Sequence, residues 1–345
     1  MPRRDLLADS HALLPAMSSP TRLLADIGGT RARFALLNER GLPGKLRVLA
    51  VADHVGPVEA IAAYLEEVGQ DQVSEAALAI AATVGDDIVQ LTNADWTFSR
   101  REIAARLGLS RLLLLNDFTA LALSLPHLAD TELRQVGRGS ALPLAPKGVL
   151  GPGTGLGVSG LLTDRGRWQP LAGEGGHVSL APADQREAAI LALAWRAAQN
   201  TSAPHVSAER LVSGSGLPLL HRLVAEVDGM AFQALSAAEI VAHALGGDAL
   251  CRAVIDTFCA MLGTLAGNLA LTLGARGGIY IGGGIVPRFG GLFDQSAFRE
   301  RFEAKGRFAS YLASIPTYVM LSPAPALVGA AYALAQPQND ASASG

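Results

Sequence analysis

The pattern of apolar and polar positions predicts two β-hairpins, each with a glycine-rich turn. Residues 23–27 form a short apolar run, and residues 31–37 alternate between apolar and polar positions after the first glycines. The second hairpin is predicted where the run 149–150 leads into the turn 151–157 and then into the strand 158–162. Because the two turns lie about 125 residues apart, we expect two similar α/β halves with a cleft between them.

Elsewhere the apolar positions either form short buried runs or recur at helical spacing. The short runs predict strands at 76–82, 88–91, 112–115 and 278–281. The helical spacing predicts helices at 58–68, 99–107, 118–125, 186–198, 208–213, 217–226, 237–245 and 249–273, with a last helix within 323–335. Strands that alternate with helices in this way are typical of the α/β class.

A connector that contains glycine and proline, residues 137–147, is the best candidate for a domain boundary. The predicted division is a flexible leader at 1–20, a small α/β domain at 21–135 plus 323–338, a large α/β domain at 136–322 and a frayed tail at 339–345. The leader has no long apolar run, so it does not have the pattern of a signal peptide.

One uncharged stretch, residues 257–275, is long enough to span a bilayer and contains Gly263 and Gly267 at the spacing of a membrane helix pair. Threonine, asparagine and glycine dilute its hydrophobicity, and no aromatic residues flank it. Arg252 and Asp256 lie just before it. We therefore expect a buried helix of an α/β domain and no membrane association.

Composition and charge favour a protein that acts on small molecules. Of 345 residues, 28 are basic and 31 acidic, a net charge of −3, which argues against a nucleic-acid surface. The two cysteines, Cys251 and Cys259, are eight positions apart, so they form neither a CxxC pair nor a disulfide framework. Two buried thiols in a reducing compartment are expected. No lysine (Lys45, Lys147, Lys305) is followed by Ser or Thr, which excludes a P-loop.

The two glycine turns are candidates for phosphate binding, because backbone amides without a neighbouring Cβ can approach phosphate oxygens closely. The relevant segments are Gly28–Thr30 and Gly153–Gly155. Glycine is also common in ordinary hairpin turns, and only its occurrence in two similar units favours the functional interpretation. A dinucleotide-binding fingerprint is excluded, since each turn is followed by a strand and not by a helix.

Two aspartates are candidates for chemistry, one beside the first glycine turn and one after a buried strand. Asp26 lies at the end of the first strand, two positions before Gly28, where its carboxylate could hold Mg²⁺ directly or through water, or could simply help to form the turn. Asp117 follows the strand 112–115, at the sheet edge where α/β proteins bind ligands. Either Asn116 or Asp117 could cap the next helix. Capping needs only one of them, which leaves one side chain free to face the cleft.

Three further polar residues are candidates for binding a polyhydroxy ligand. Glu174 and His177 lie among glycines, which predicts a loop and not a helical metal pair. Glu209 lies in the first turn of a helix, where a carboxylate also complements the helix dipole. Hydrolase motifs are lacking: the sequence has neither a G-x-S-x-G elbow nor an HExxH segment.

Taken together, the motifs resemble the bacterial glucokinase family, within the actin/hexokinase-like sugar kinases. The matching segments occur in order over residues 22–335: 25–34, 115–118, 151–157, 173–178, 209–214 and 282–289. The chain lacks the cysteine-rich zinc motif of the related ROK branch. It also departs from many relatives at Arg31, directly after the first glycine turn, where they have Asn and where an arginine could add a phosphate contact or alter nucleotide preference.

The resemblance implies two RNase H-like α/β domains with the active site in the cleft between them. It implies that Asp117 is the catalytic base and that the sugar is held by Asn116, Asp117, Glu174, His177 and Glu209. It implies that ATP is held by Gly28, Gly29, Thr30, Gly153, Thr154, Gly155, Gly282, Gly283 and Gly284, with Asp26 toward Mg²⁺. The expected activity is ATP-dependent phosphorylation of glucose by a cytoplasmic homodimer. The alternatives are a non-catalytic sugar sensor and a kinase for another hexose.

Overall fold

The structure is a computed structural model that describes residues 21–82, 84–91, 95–199 and 204–336. The predicted leader, 1–20, and the predicted tail, 339–345, lie outside the described residues. The strands are β1 Arg22–Ile27, β2 Arg31–Leu37, β3 Pro43–Ala50, β4 Glu75–Ile80, β5 Ile88–Gln90, β6 Thr97–Ser99, β7 Arg111–Asn116, β8 Leu133–Val136, β9 Lys147–Pro152, β10 Leu156–Asp164, β11 Arg167–Leu171, β12 Ile279–Ile281 and β13 Thr317–Met320. The α-helices are α1 Pro57–Glu67, α2 Arg100–Leu107, α3 Asp117–Ser124, α4 Gln185–Ala198, α5 Ala208–Leu211, α6 Leu217–Asp228, α7 Ala237–Gly246, α8 Ala249–Leu273, α9 Gly291–Gln295, α10 Phe298–Glu303, α11 Ala309–Ala313 and α12 Pro325–Ala335.

Two sheets with the same internal arrangement form the framework. The first has the order β3-β2-β1-β4-β7, with antiparallel pairing among β1, β2 and β3 and parallel pairing of β4 with both β1 and β7. The second has the order β11-β10-β9-β12-β13-β8, in which β9 to β13 repeat that arrangement and β8 adds an antiparallel edge. Both predicted glycine hairpins, β1–β2 and β9–β10, are confirmed. The fold is the predicted pair of actin/hexokinase-like α/β units.

Helices α3 and α12 lie between the two sheets. Helix α12 packs along α3 and against β1 and β4, while α3 also contacts β9, β10 and β11 of the second sheet. A Cβ added at Gly329 of α12 would collide with the carbonyl oxygen of Ala120 in α3, so the two helices approach at backbone distance. The last helix of the described chain therefore supports the helix that begins with Asp117.

Helix α8 is the central helix of the second unit. It is long and apolar enough to cross a bilayer by length and composition alone, but 72% of its most apolar window is buried inside the protein. Its glycines at 263 and 267 lie against the backbone of α10, where added Cβ atoms would meet the carbonyl oxygens of Phe298 and Phe302. The expectation of a buried core helix is confirmed, and the glycine spacing serves packing within this chain.

Candidate active site

The candidate site lies where the carboxyl ends of β1, β7 and β9 meet the cleft between the sheets. Parallel strands of α/β sheets end at one edge, and ligands bind there. The cleft has a volume of about 630 Å³. Its lining consists of Gly28, Gly29, Ala81, Ala82, Gln90, Asn116, Asp117, Phe118, Gly151, Gly153, Thr154, Gly155, Leu156, Gly157, Val158, Gly173, Glu174, His177, Glu209, Ser215 and Gly283.

Most of the residues that the sequence singles out line this cleft, although they come from separate parts of the chain. Four predicted residues do not line it: Asp26, Thr30, Gly282 and Gly284. Thr30 and Gly284 are exposed, and Gly282 is buried with its α-carbon close to Leu121. Asp26 lies one residue short of the end of β1, and Ile27 separates it from the cleft-lining glycines.

Asn116 and Asp117 have different roles at the start of α3: one caps the helix and the other faces the cleft. The Oδ1 atom of Asn116 accepts hydrogen bonds from the backbone N–H groups of Phe118 and Thr119, at 3.0 and 3.2 Å, so Asn116 is the cap of α3. Its Nδ2 donates to the carbonyl of Ala82 at 3.3 Å. The carboxylate of Asp117 accepts one backbone hydrogen bond, from Phe118 at 2.9 Å, and lines the cleft.

The Asp117 carboxyl group is poised to change protonation near neutral pH. Its pKa is raised from 3.8 to about 6, chiefly by burial and then by the negative charges of Asp26 and Glu174, against a lowering by the Phe118 hydrogen bond. A carboxylate with a raised pKa in a cleft is a stronger proton acceptor than an ordinary surface aspartate. This arrangement suits a general base.

Asp26 is held by an ion pair with the neighbouring strand. Its Oδ2 atom lies 3.1 Å from Nη1 of Arg33, its partner in the β1–β2 register. Burial raises the pKa of the Asp26 carboxyl, and the Arg33 charge and hydrogen bond lower it. No cluster of three or more His, Cys, Asp or Glu suited to a metal occurs among the described residues. A single carboxylate beside a phosphate site nevertheless fits Mg²⁺, which takes its other ligands from phosphates and water.

The second glycine turn is tied to the segment after α5. The carbonyl of Gly153 accepts from Gly214 N–H at 2.8 Å, and the carbonyl of Thr154 accepts from the Ser215 hydroxyl at 2.9 Å. A Cβ added at Gly153 would meet no atom within 4 Å, so this glycine faces open space. The turn is therefore fixed at its carbonyls, while Gly153 itself is open to the cleft.

Glu209 is fixed by the same turn from the other side. Its Oε2 atom accepts a hydrogen bond from Leu156 N–H at 2.8 Å, and a Cβ at Gly155 would collide with this carboxylate. The side chain of Ser207 caps the short helix that carries Glu209 by accepting from Arg210 N–H. The sequence suggested no such link between the glycine turn and the acid, because it joins positions more than fifty residues apart.

Glu174 and His177 lie on a loop that ends in one 3₁₀ turn, Gly175–His177, in agreement with the predicted loop. Both side chains are exposed and both line the cleft. The His177 backbone N–H donates to the Glu174 carbonyl at 3.0 Å, and the His177 carbonyl lies 3.0 Å from Nε2 of His205. The backbone of the loop is thus fixed while its side chains remain free to bind a ligand.

Of the last glycine segment, only Gly283 lines the cleft. It has a φ of +78°, and an added Cβ would collide with the carbonyl of Pro152 at the end of β9. This contact joins the end of β12 to the second glycine turn. A side chain at this position would separate the two.

Comparison with known proteins agrees with this geometry. The sequence model of the family described as Glucokinase matches residues 23–337. The chain belongs to the glucokinase family. A curated relative, the glucokinase of Chromobacterium violaceum, is 52% identical over 323 residues, which cover 92% of this chain and 91% of the relative.

Solved structures of glucokinases share the fold. The glucokinase of an Antarctic psychrotroph superimposes with a TM-score of 0.80 at 35% identity, covering 92% of this chain and 99% of that one. A ROK family glucokinase from Streptomyces griseus, in complex with glucose and AMPPNP, has a TM-score of 0.62 at 21% identity and covers 92% of this chain and all of its own. At that identity the second likeness concerns the fold alone.

Three residues of the cleft wall have no role in the sequence-based interpretation of this glucokinase family site. Gln90 lies on the two-stranded sheet β5–β6, and no local motif marks it. Phe118 lies against Gly157, where an added Cβ would collide with its ring. Ser215 stood out only as a poor hydrolase candidate, and in the structure its hydroxyl positions the Thr154 carbonyl.

Proposed function

We propose that this chain is an ATP-dependent glucokinase, which transfers the γ-phosphoryl group of ATP to the 6-hydroxyl of glucose and forms glucose 6-phosphate and ADP. The observation that carries the proposal is the position of Asp117, a carboxylate of raised pKa that lines the same cleft as both glycine turns. Membership of the glucokinase family and the 52% identical relative support it.

Asp117 acts as the base for the sugar hydroxyl. Phosphoryl transfer has a loose transition state, so catalysis consists mainly of positioning and of stabilising charge on the phosphoryl oxygens. The Asp117 carboxylate accepts a hydrogen bond from the 6-hydroxyl, which aims that oxygen at the γ-phosphorus. It takes the proton as the new O–P bond forms and the bond to the leaving ADP breaks.

The sugar is held between two groups of polar side chains. Asn116 and Asp117 lie at the start of α3, and Glu174, His177 and Glu209 lie on the large unit. Carboxylate oxygens accept hydrogen bonds from sugar hydroxyls, and the imidazole of His177 can donate or accept. Glu209 is preorganised by its hydrogen bond from Leu156 N–H, so little freedom of this side chain is lost on binding.

The ATP phosphates lie against the backbone of the two glycine turns, Gly28–Thr30 and Gly153–Gly155. The open space at Gly153 lets a phosphate oxygen approach its backbone. Gly282–Gly284 lie nearer the adenosine. Asp26, directly or through water, would hold Mg²⁺, which supplies charge neutralisation on the phosphate oxygens when bound.

The two sheets mark the units that close on the substrates. We keep the division into a small domain, 21–135 with 323–338, and a large domain, 136–322, although β8, Leu133–Val136, pairs with the large sheet. Closure of the cleft excludes water, which would otherwise compete with the sugar as the nucleophile. Glucose phosphorylation then places the protein at the entry of glycolysis.

The proposed setting is the cytoplasm, and the proposed assembly is a homodimer. Cys251 and Cys259 are free and buried, and burial raises the pKa of both thiols to about 12. Unpaired, unreactive thiols suit a reducing compartment. The homodimer rests on family likeness.

A coupled assay with glucose, ATP and Mg²⁺ tests the activity, and Asp117→Asn tests the base. We expect kcat to fall by about 10²- to 10⁴-fold with glucose affinity, measured by calorimetry, largely kept. The matched control is Asp71→Asn, an exposed aspartate outside the cleft, which should leave kcat unchanged. An Asp117→Asn enzyme of normal kcat would refute the base assignment.

The same experiment separates the alternatives. Glucose binding without turnover in the unchanged protein would identify a sensor. A panel of hexoses that gave a higher kcat/KM for mannose or an amino sugar than for glucose would identify a different substrate.

A further inference from the structure

A second cavity, of about 380 Å³, lies directly behind the sugar end of the candidate active site. It shares three wall residues with the main cleft: His177, Glu209 and Ser215. The rest of its lining belongs to the segment that carries Glu209 and to the start of α6. None of the roles proposed above uses this cavity.

The cavity contains a cation without a protein partner. Within the described residues, the side chain of Arg210 takes part in no ion pair or hydrogen bond, and its Nε atom is buried without an acceptor. The positive charge of Arg210 is therefore available to an anion bound in the cavity. Most other partly buried arginines of comparable position are paired, as Arg33 is with Asp26 and Arg301 is with Glu187.

The rest of the cavity wall includes further polar side chains and the first turn of α6. His205 and Ser207 line the cavity beside Arg210, and Gly216 and Leu219 bring in the first turn of α6, a helix of 12 residues. The start of α6 is held within the chain, because the Ser213 hydroxyl oxygen accepts a hydrogen bond from Gly216 N–H and the Ser213 carbonyl accepts one from Leu217 N–H, both at 3.0 Å. The one acid of the described wall, Glu209, has an oxygen engaged by Leu156 N–H. The Arg210 guanidinium, with the imidazole of His177 and the hydroxyl of Ser207 beside it, is a donor set for a phosphate group.

We propose that this cavity binds the phosphate group of a small anion, either inorganic phosphate or a phosphomonoester, and that its occupancy weakens glucose binding. The expected effect on glucose binding rests on the proposed function, whereas the expected binding of phosphate does not. A negative charge placed beside Glu209 and His177 disturbs the two side chains that hold the sugar from this side. Asp117 lies on α3, which contributes no residue to the second cavity, so the effect falls on KM and not on kcat.

Direct binding is the first test, with inorganic phosphate as the probe at constant ionic strength. Calorimetry on the unchanged protein should show one phosphate site without ATP or glucose present. Arg210→Gln should weaken that site at least tenfold, and Arg210→Lys should restore part of the affinity. Arg222→Gln, which removes an exposed arginine of α6 outside the cavity, should bind phosphate as the unchanged protein does.

Equal phosphate affinity in the unchanged protein and in Arg210→Gln would overturn the proposal, because the phosphate would then occupy the nucleotide turns. Absence of binding at 50 mM phosphate, taken as about the highest useful concentration, would overturn it as well. Should Arg210→Gln not fold, a crystal of the unchanged protein soaked in phosphate decides. Density within hydrogen-bond distance of Arg210 supports the proposal, and density elsewhere refutes it.

Kinetics form the second test and separate the two anion sources. At a phosphate concentration that saturates the site, the KM for glucose should at least double with kcat unchanged, and Arg210→Gln should abolish the effect. Glycerol 3-phosphate serves as the phosphomonoester arm, and the stronger of the two anions identifies the natural source. Phosphate binding that depends on Arg210 in a protein without kinase activity would refute the proposed function while leaving the site intact. A KM that does not respond to bound phosphate would refute the coupling.

Discussion

The pH dependence of turnover offers the sharpest test of the base. Burial, together with the charges of Asp26 and Glu174, raises the pKa of Asp117 to about 6 in the free protein. A base acts only when it is ionised, and kcat/KM follows the ionisation of the free enzyme. At pH 7 about ten elevenths of the Asp117 carboxyl groups are ionised, and at pH 5 about one eleventh. We therefore expect kcat/KM to fall about tenfold between pH 7 and pH 5.

An aspartate of ordinary pKa would behave differently. With a pKa of 3.8, about 94% of the groups remain ionised at pH 5, and kcat/KM would fall by less than a tenth. The assay is the initial rate at low glucose from pH 4.5 to 8.5, with the circular dichroism of the protein followed at each pH. Asp71→Asn serves as the matched control and should give the same profile as the unchanged protein.

The temperature dependence of the acid limb identifies the titrating group. A carboxyl group ionises with a small enthalpy, so the pKa of an acid limb due to aspartate stays nearly constant when the temperature is raised by about 20 °C. The pKa of a limb due to histidine would shift measurably over the same interval. A profile that stays flat down to pH 5 would refute the argument from burial. A limb that moves with temperature as an imidazole does would refute the assignment to Asp117.

Three further predictions concern the packing of the site and the stability of the fold. Gly155→Ala should raise the KM for glucose about tenfold or more, because the new Cβ displaces the Glu209 carboxylate. The matched variant Gly153→Ala places its Cβ in open space on the nucleotide side, so it should affect the KM for ATP and not that for glucose. Asp117→Asn should stabilise the protein. The pKa of Asp117 is higher in the folded than in the unfolded protein, so its ionisation destabilises the folded state increasingly as the pH rises, and asparagine cannot ionise. We expect a gain in urea unfolding free energy of up to about 3 kcal/mol at pH 7.5 and about half that at pH 5, and an equal gain at both pH values would contradict it. Gly263→Ala should cost about 1–3 kcal/mol in the same assay despite the better helix propensity of alanine, while Gly246→Ala, with no atom within 4 Å, should gain up to about 1 kcal/mol.

The sequence predicted the hairpins and the long helices because their patterns are local. The runs of β1 and β9 are apolar and end in glycines, and α8 has apolar residues on most of its surface. Five strands were not predicted: β6, β8, β13 and two more at sheet edges, β3 and β11. Of these, β3 and β11 show why. Their residues are mostly exposed, so no alternation of buried and exposed positions marks them, and only pairing with β2 and β10 makes them strands.

The candidate site was predictable as a set of residues but not as a geometry. Glycines and carboxylates beside strand ends pointed to Asp117 and both turns. The hydrogen bond from Leu156 N–H to Glu209 joins distant positions through backbone, and backbone donors leave no trace in a sequence. The same holds for Gln90, which reaches the cleft wall through the β5–β6 pairing. Exposure of Thr30 and burial of Gly282 likewise depend on tertiary packing.

The close seating of α12 on α3 has a consequence for how the protein is made. Ribosomes deliver the amino-terminal strands first, yet the partner that the first sheet and α3 need is among the last segments to emerge. In a nascent chain, the apolar face of α3 that packs against α12 therefore stays exposed until residues 325–335 have emerged from the ribosome. Maturation of the amino-terminal half thus depends on synthesis of α12, and a polypeptide that stops before α12 would be a substrate for chaperones and proteases.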